Sequence, residues 1–315
     1  MAAPPFSTEP MIALQAGQFV VPLSCNAFAI GSANLRVLLA MRPHAALLVL
    51  AVATSCAPRP ADAPSAVPAS TPAAAPTATR TACFLLYEMG VGEIRRAPAE
   101  ACAERVTPAS TFKIPHALAA LDSGVLSGAD SMLPYDGRPQ DLEVWNHDHT
   151  LASAMRYSVV WYFQRVATRL RADREREYLD RFDYGNRDTS SGLTTFWLGE
   201  SLRISPDEQE KFLVRLYEDA LPVHKEAMAT VRAILVQPAG LVVNAFGEHP
   251  FDAPWPAGTV VSAKTGRASE VRWLVGHVQR ESRSWVFVSC VRGAETDANA
   301  AIELAAQSLR SAGVL

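Results

Sequence analysis

Residues 259–291 carry the sequence TVVSAKTGRASEVRWLVGHVQRESRSWVFVSCV, in which three runs of β-branched and aromatic residues are separated by turns. The runs cover residues 259–264, 271–279 and 285–291. Such residues are enriched in strands, and the polar residues between the runs are typical of the turns that join neighbouring strands. The segment therefore predicts an antiparallel meander of three strands.

A further pair of strands is predicted upstream, where residues 81–89 are rich in strand formers, residues 90–92 form a turn and residues 93–97 return. Elsewhere the apolar residues recur at helical spacing. The predicted helices cover residues 110–122, 159–170, 174–182, 205–219, 225–236 and 297–309. This order predicts an α+β fold, in which N- and C-terminal strands form one antiparallel sheet, flanked by helices and with an inserted all-helical lobe.

The clearest helix start is the sequence Ser205-Pro206-Asp207-Glu208. Serine is a preferred N-cap, proline is favoured at the first helical position, and glutamate at the third completes a capping box. These three signals agree, so the sequence predicts that a helix begins at Pro206.

The composition is that of a globular protein with a large core. The chain has 315 residues, of which 49% are hydrophobic and 19% are charged. Its formal net charge is −3, from 29 basic and 32 acidic residues. We therefore expect no nucleic-acid partner, since nucleic-acid binding needs a basic field.

An export signal is predicted at residues 41–56, where a charged Met-Arg-Pro-His segment precedes a short apolar run. The run is too short to span a bilayer. It ends in Ala53-Thr54-Ser55-Cys56, which loosely matches a lipoprotein cleavage box, so the sequence leaves a lipid anchor at Cys56 open. Residues 1–40 resemble neither a signal nor a domain, and we expect that they are not part of the mature protein.

Residues 57–79 contain six prolines and nine alanines among 23 residues, a composition typical of an extended tether. The folded domain is then expected over residues 80–315. Together with the export signal, this organisation predicts a periplasmic protein, either free or anchored to the membrane by lipid.

Three cysteines, Cys83, Cys102 and Cys290, lie in the expected domain without the spacing of a zinc site. An oxidising periplasm would allow a disulfide between Cys83 and Cys102, which flank the predicted hairpin. Buried free thiols are an equally good interpretation, and the sequence does not decide between the two.

The sequence Ser110-Thr111-Phe112-Lys113 opens a predicted helix. A spacing of three residues places the Ser110 hydroxyl and the Lys113 amine on one helix face, one turn apart. A desolvated lysine can take the proton of a serine and so make it a nucleophile. Lys113 has apolar neighbours, Phe112 and Ile114 among them, which favours the desolvation that this chemistry needs.

Lys264-Thr265-Gly266 follows an apolar strand. In that place the lysine and threonine offer donors to a carboxylate, and glycine keeps the backbone accessible. A Ser-x-x-Lys helix start followed by Lys-Thr-Gly on a strand resembles the signature of the penicillin-recognising serine acyltransferases.

Further motifs extend the resemblance to the class D, or oxacillinase-type, serine β-lactamases over nearly all of residues 80–315. The segments that match are Pro108-Ala109-Ser110-Thr111-Phe112-Lys113-Ile114-Pro115, Ser158-Val159-Val160, Tyr184-Gly185-Asn186, Phe196-Trp197-Leu198 and Ser262-Ala263-Lys264-Thr265-Gly266. The resemblance implies the fold of serine β-lactamases and penicillin-binding transpeptidases, and hydrolysis of penicillin-like antibiotics.

Roles for individual residues follow from the same resemblance. Lys113 would be carboxylated by carbon dioxide and act as the general base, with no other cofactor and no metal. Trp197 would support the carbamate by a hydrogen bond, and Val160 would supply an apolar wall. Ser158 would relay a proton to the leaving nitrogen, assisted by Lys264.

The backbone N–H groups of Ser110 and Arg267 would form the oxyanion hole, and Thr265 and Gly266 would contact the substrate. Ser110 would open the lactam to an acyl-enzyme, which a water molecule then hydrolyses.

The chain departs from the family in one respect, since no arginine stands just before the last helix to bind the substrate carboxylate. Arg292 and Arg267 are the candidate replacements; for each, a solvated arginine at a strand end is the alternative interpretation.

The sequence Tyr184-Gly185-Asn186 predicts a turn that shapes the cleft wall. His147 and His149 lack a third metal ligand, so we interpret them as loop residues.

Two other functions fit part of the pattern. A penicillin sensor or target protein would be acylated without turnover, and a non-catalytic lipoprotein would keep the fold for binding alone. The sequence decides neither the preferred class of β-lactam nor whether the protein is a monomer or a homodimer.

Overall fold

The computed structural model describes residues 80–199, 201–294 and 296–315. Residues 1–40, the predicted signal at 41–56 with Cys56, and the predicted tether at 57–79 all lie outside the described residues. No helix within the described ranges is both long and apolar enough to cross a membrane.

One antiparallel sheet organises the fold, with the strand order β2-β1-β9-β8-β7. Its strands are β1 (Thr81–Glu88), β2 (Gly92–Ala97), β7 (Val260–Arg267), β8 (Val271–Arg280) and β9 (Arg283–Arg292). The N-terminal strand β1 pairs with the C-terminal strand β9, so that Cys83 lies opposite Cys290. The predicted meander and the predicted joining of N- and C-terminal strands are both confirmed.

The central strands β8 and β9 are buried along most of their length because both faces of the sheet are covered. On β8, Trp273 and Val275 belong to the core shared with the helical lobe. Leu274 and Val278 belong to the core on the opposite face. There they pack with residues of the last helix, such as Ile302. This double burial fixes the sheet between the lobe and the C-terminal helix.

Five α-helices of the described residues lie close to the predicted ranges, whereas the two shortest, at residues 99–103 and 151–156, were not predicted. The helices are α1 (Ala99–Ala103), α2 (Lys113–Asp122), α3 (Leu151–Arg156), α4 (Val160–Phe182), α5 (Pro206–Tyr217), α6 (Lys225–Ile234) and α7 (Ala300–Ser311). The two helices predicted at 159–170 and 174–182 are the halves of α4, which is interrupted at Arg171 (φ 72°). The capping box of α5 forms as predicted between Ser205 and Glu208.

Several short elements were not predicted. The strands β3 (Met132–Leu133) and β4 (His149–Thr150) pair with each other, as do β5 (Leu241–Asn244) and β6 (Gly247–Pro250). The first two strands are only two residues long, which is too short to leave a pattern. The β5–β6 hairpin is a larger omission, because its turn lies beside the functional site.

The structure decides the question of the cysteines. Cys83 on β1 and Cys102 on α1 form a disulfide bond. Cys290 is a buried free thiol. The disulfide ties the first strand to the first helix, and hence the sheet to the segment that leads into the functional site.

Candidate active site

Ser110 lies on a short 3₁₀ turn, Ala109–Phe112, that leads directly into α2. The predicted helix therefore begins three residues later than expected, at Lys113. The lysine still follows the serine by one turn, and its Nζ donates a hydrogen bond of 2.9 Å to the Ser110 hydroxyl. The structure thus brings together the two residues on which the sequence argument began.

Lys113 is completely buried, as are its neighbours Phe112 and Ile114. Burial lowers the pKa of Lys113 to about 7, because an ammonium group without solvent loses its hydration. A large fraction of the amine is consequently neutral near pH 7. A neutral amine can accept a proton or react with carbon dioxide, whereas an ammonium group can do neither.

The surroundings of Lys113 are aromatic. Its Nζ lies 5.4 Å from the centre of the Phe163 ring. Trp197 is completely buried, and its ring lies 5.6 Å from that of Phe112. The indole Nε1 has no hydrogen-bond partner among the described residues. Since buried donors are normally satisfied, this free N–H fits an additional acceptor, such as a carboxylate on the Lys113 amine.

Ser158 and Lys264 form the second polar pair of the site. Ser158 precedes α4 in a left-handed conformation (φ 55°), a strained state that is found mostly at functional sites. Lys264 on β7 donates hydrogen bonds to the Ser158 hydroxyl and, at 2.9 Å, to the Thr265 carbonyl oxygen. Burial, and then the charge of Lys113, lower the pKa of Lys264. This pair can therefore exchange a proton readily.

Strand β7 packs tightly against the turn that carries Ser110. A Cβ atom at Gly266 would lie 3.0 Å from both the Pro108 carbonyl oxygen and the Thr111 side chain. Glycine allows this approach without the shift of neighbouring atoms that a side chain would require. The approach places the end of β7, with Thr265 and Arg267, along the same cleft as Ser110.

The cleft has a volume of about 380 Å³. The residues that line it are Ser110, Trp145, Ser158, Val160, Leu198, Asn244, Ala245, Phe246, Thr265, Arg267, Ala268, Ser269 and Arg272. Two arginines and no acidic residue belong to this lining, so the cleft suits an anionic ligand.

The two candidate arginines have different surroundings. Arg267 lines the cleft, and its guanidinium lies 4.7 Å from the centre of the Phe246 ring. Arg292 lies outside the cleft lining and forms an ion pair with Glu104, with 2.5 Å between Nη1 and Oε1. We therefore no longer assign substrate binding to Arg292, and Arg267 stays the candidate.

Two minor interpretations are wrong: Tyr184 does not line the cleft, and His149 lies on β4 and not in a loop. Tyr184 is completely buried against Phe112 and Phe212, so it belongs to the core beneath the site and not to the cleft wall. His149 is buried, with its ring nitrogens 2.9 Å from the Ser153 hydroxyl and 3.0 Å from the Val144 carbonyl oxygen. No cluster of metal ligands occurs in the described ranges.

The sequence argument missed the cleft residues of the β5–β6 hairpin, Asn244, Ala245 and Phe246, and the arginine Arg272 of β8. Gly247, which follows the short β-prone run 241–244, is a turn signal that could have indicated the hairpin. Nothing in the local sequence shows that the hairpin lies over the cleft, because this position depends on tertiary packing.

Proteins with similar sequences point to the same kind of active site. Residues 69–311 match the family described as penicillin binding protein transpeptidase domain. A probable β-lactamase of Bacillus subtilis, YbxI, is 37% identical over 198 residues, which are 62% of this chain and 68% of that protein. β-Lactamase OXA-1 of Escherichia coli is 32% identical over 67% of this chain and 76% of its own length.

Solved structures point to the same class. A delta mutant of the class D β-lactamase BAT-2 superimposes with a TM-score of 0.67 at 32% identity, covering 75% of this chain and 93% of that one. A class D β-lactamase from Bacillus subtilis gives a TM-score of 0.66 at 30% identity, with the same coverage. The chain therefore belongs to the penicillin-binding protein transpeptidase-domain family and, within it, to the class D serine β-lactamases.

Proposed function

We propose that the protein hydrolyses penicillin-like β-lactam antibiotics through an acyl-enzyme on Ser110 and so confers resistance to them. One observation carries the proposal: the Ser110 hydroxyl accepts a hydrogen bond from a buried amine whose pKa is lowered to about 7. A serine beside such a base is activated for attack on a carbonyl carbon.

In the first stage the Ser110 oxygen attacks the lactam carbonyl while its proton passes to the base at Lys113. The backbone N–H groups of Ser110 and Arg267 stabilise the negative charge that develops on the carbonyl oxygen. The Ser158 hydroxyl gives a proton to the lactam nitrogen as the ring opens, and Lys264 replaces that proton through their hydrogen bond.

Lys113 is the residue that we propose to carry a carbamate. When bound there, carbon dioxide supplies a carboxylate oxygen that can accept a proton from a hydroxyl group or from water. Trp197 would hold it through its free indole N–H. Val160, at the start of α4, lines the cleft and limits the entry of bulk water toward the amine.

Binding of the substrate carboxylate is assigned to the rim of the cleft. Thr265 and Arg267 line the cleft beyond Lys264, and the Arg267 guanidinium can donate two parallel hydrogen bonds to a carboxylate. The Phe246 ring packs against this guanidinium. We therefore propose that Arg267 replaces the arginine that is missing before the last helix.

The similarity to class D β-lactamases favours hydrolysis over the alternative of a sensor or target protein, and the free donor of Trp197 fits a base that stays in place to activate water after acylation. The complete set of polar groups around Ser110 likewise disfavours a purely binding role. The protein is also proposed to be periplasmic, with lipidation at Cys56 left open. The Cys83–Cys102 disulfide supports export, since disulfides persist in oxidising compartments.

Product counting tests the proposed activity. The purified protein is mixed with a chromogenic β-lactam, with and without added bicarbonate, and product molecules are counted per enzyme. We expect many turnovers, and faster turnover with bicarbonate. A burst of one equivalent that then stops would instead identify a sensor or target protein.

A further inference from the structure

A buried histidine that takes no part in the proposed chemistry lies directly beneath the Lys113 pocket. His116 follows Lys113 by one turn of α2, and its side chain is completely buried. Its ring lies 5.2 Å from the Trp197 indole in an edge-to-face arrangement and 5.7 Å from the Phe163 ring. His116 thus contacts Trp197 and also Phe163, whose ring faces the Lys113 amine.

The histidine is paired with a buried carboxylate. Its Nε2 lies 2.7 Å from Oε1 of Glu175 in the second half of α4, and the Glu175 side chain is only 2% exposed. The two atoms are at ion-pair distance but not in hydrogen-bond geometry. Burying a carboxylate is costly unless a partner compensates it, and His116 is the partner at this distance. Two apolar side chains at these positions would be buried at a lower cost in free energy, so we infer that the pair has a role beyond packing.

That role follows from how the Trp197 ring is held. Its indole N–H has no hydrogen-bond partner in the described part of the chain, so no polar contact of the ring itself sets its orientation. Three rings pack against it: Phe112, Phe196 and His116. Of these three, only His116 has a side chain capable of a polar contact, and Glu175 supplies it.

We propose that His116, fixed by Glu175, is a positioning residue that holds the Trp197 indole in the orientation its N–H needs to bind a carbamate on Lys113. This inference rests on the proposed function. The edge of the His116 ring restricts rotation and sliding of the indole, and the close approach of the Glu175 carboxylate restricts turning of the histidine ring. A donor held in place in this way binds an anion without having to reorganise first.

The test measures the carbamate directly. Wild-type protein and variants are titrated with ¹³C-labelled bicarbonate at alkaline pH, where the Lys113 amine is neutral, and the carbamate signal is followed by ¹³C NMR. We expect His116→Leu to need about tenfold or more bicarbonate for half-occupancy, as for the loss of one charge-assisted hydrogen bond. Glu175→Gln keeps an oxygen for Nε2 and should stay within about twofold of the wild type.

Loss of stability has to be separated from loss of positioning. His116→Leu leaves Glu175 buried without its partner, so the melting temperature of this variant should fall. The double variant His116→Leu/Glu175→Leu removes both polar groups and should recover most of that melting temperature. We expect its weak bicarbonate affinity to remain, because the polar anchor of the ring is still missing.

The double variant also provides the decisive result if His116→Leu does not fold. Wild-type bicarbonate affinity in the double variant would overturn the positioning role and leave the pair a purely structural feature. A wild-type protein without any carbamate signal would instead contradict the base proposed for hydrolysis, and the positioning role would fall with it.

Discussion

The two sides of the cleft are built differently. On one side Lys113 is completely buried among aromatic rings, with its pKa lowered to about 7. On the other side Arg267 lies at the exposed end of β7 and stacks on Phe246, which is 57% exposed. Desolvation creates the reactivity of the first side, whereas the second side offers a charge that water still reaches.

This difference predicts two kinds of variant. Changes on the Lys113 side should lower kcat, because they remove interactions made while bonds form and break. Changes on the Arg267 side should mainly raise KM, because a carboxylate is bound alike before and during the reaction. Kinetic constants of variants on the two sides of the cleft can confirm or contradict this division.

The largest effect is expected for Ser110→Ala. Removing the nucleophile should lower kcat by roughly 10⁴-fold or more, since no acyl-enzyme can form. Turnover of a chromogenic β-lactam and the intact mass of the protein after exposure to it would be measured together. An adduct on the variant would place the nucleophile at another residue.

The second largest effect is expected for kcat as the pH is lowered. Only neutral Lys113 can react with carbon dioxide, and the lowered pKa of about 7 keeps a large neutral fraction at neutral pH. As pH falls below that value, the neutral fraction drops about tenfold per pH unit. At constant dissolved carbon dioxide, kcat should decrease in the same way. A kcat that stays level down to pH values near 5 would show that the Lys113 amine is not the titrating group.

Trp197→Phe keeps an aromatic ring in the Lys113 pocket and removes only the N–H. We expect kcat to fall by about 10- to 100-fold, the value of one hydrogen bond to a charged group. Added bicarbonate should restore part of the loss, and titration of kcat with bicarbonate measures this. An unchanged kcat with a raised KM would show that Trp197 does not act together with Lys113 in the chemical step.

The smallest effect belongs to the rim. Arg267→Ala should raise KM about tenfold with little change in kcat, because an exposed guanidinium contributes modestly to carboxylate binding. Arg292→Ala is the matched control, since Arg292 already pairs with Glu104 outside the cleft lining. Steady-state kinetics of both variants decide the assignment, and a larger KM effect at Arg292 would reverse it.

The Lys113 side was also the more predictable from sequence. Ser110 and Lys113 are three residues apart, so helix geometry alone places them together. The central strands β8 and β9 left equally direct patterns, because they are buried on both faces. In these places the local sequence and the tertiary structure specify the same arrangement.

The rim depends on contacts between distant parts of the chain. Nothing near Arg292 shows that Glu104 will neutralise it, and nothing near Phe246 shows that its hairpin will line the cleft. The pairing of His116 with Glu175 likewise joins two helices. Cys83 and Cys102 could be paired only once strand β1 and helix α1 were known to be adjacent.

The central claim is that the buried base at Lys113 releases the acyl group from Ser110. Intact mass spectrometry tests it most directly. The wild type and Lys113→Ala are each exposed to excess penicillin until acylated, the free penicillin is removed, and the lifetime of the acyl adduct is followed. With bicarbonate present, we expect the wild type to return to its unmodified mass while the variant keeps one adduct roughly 10²- to 10⁴-fold longer. Equal lifetimes would contradict the claim.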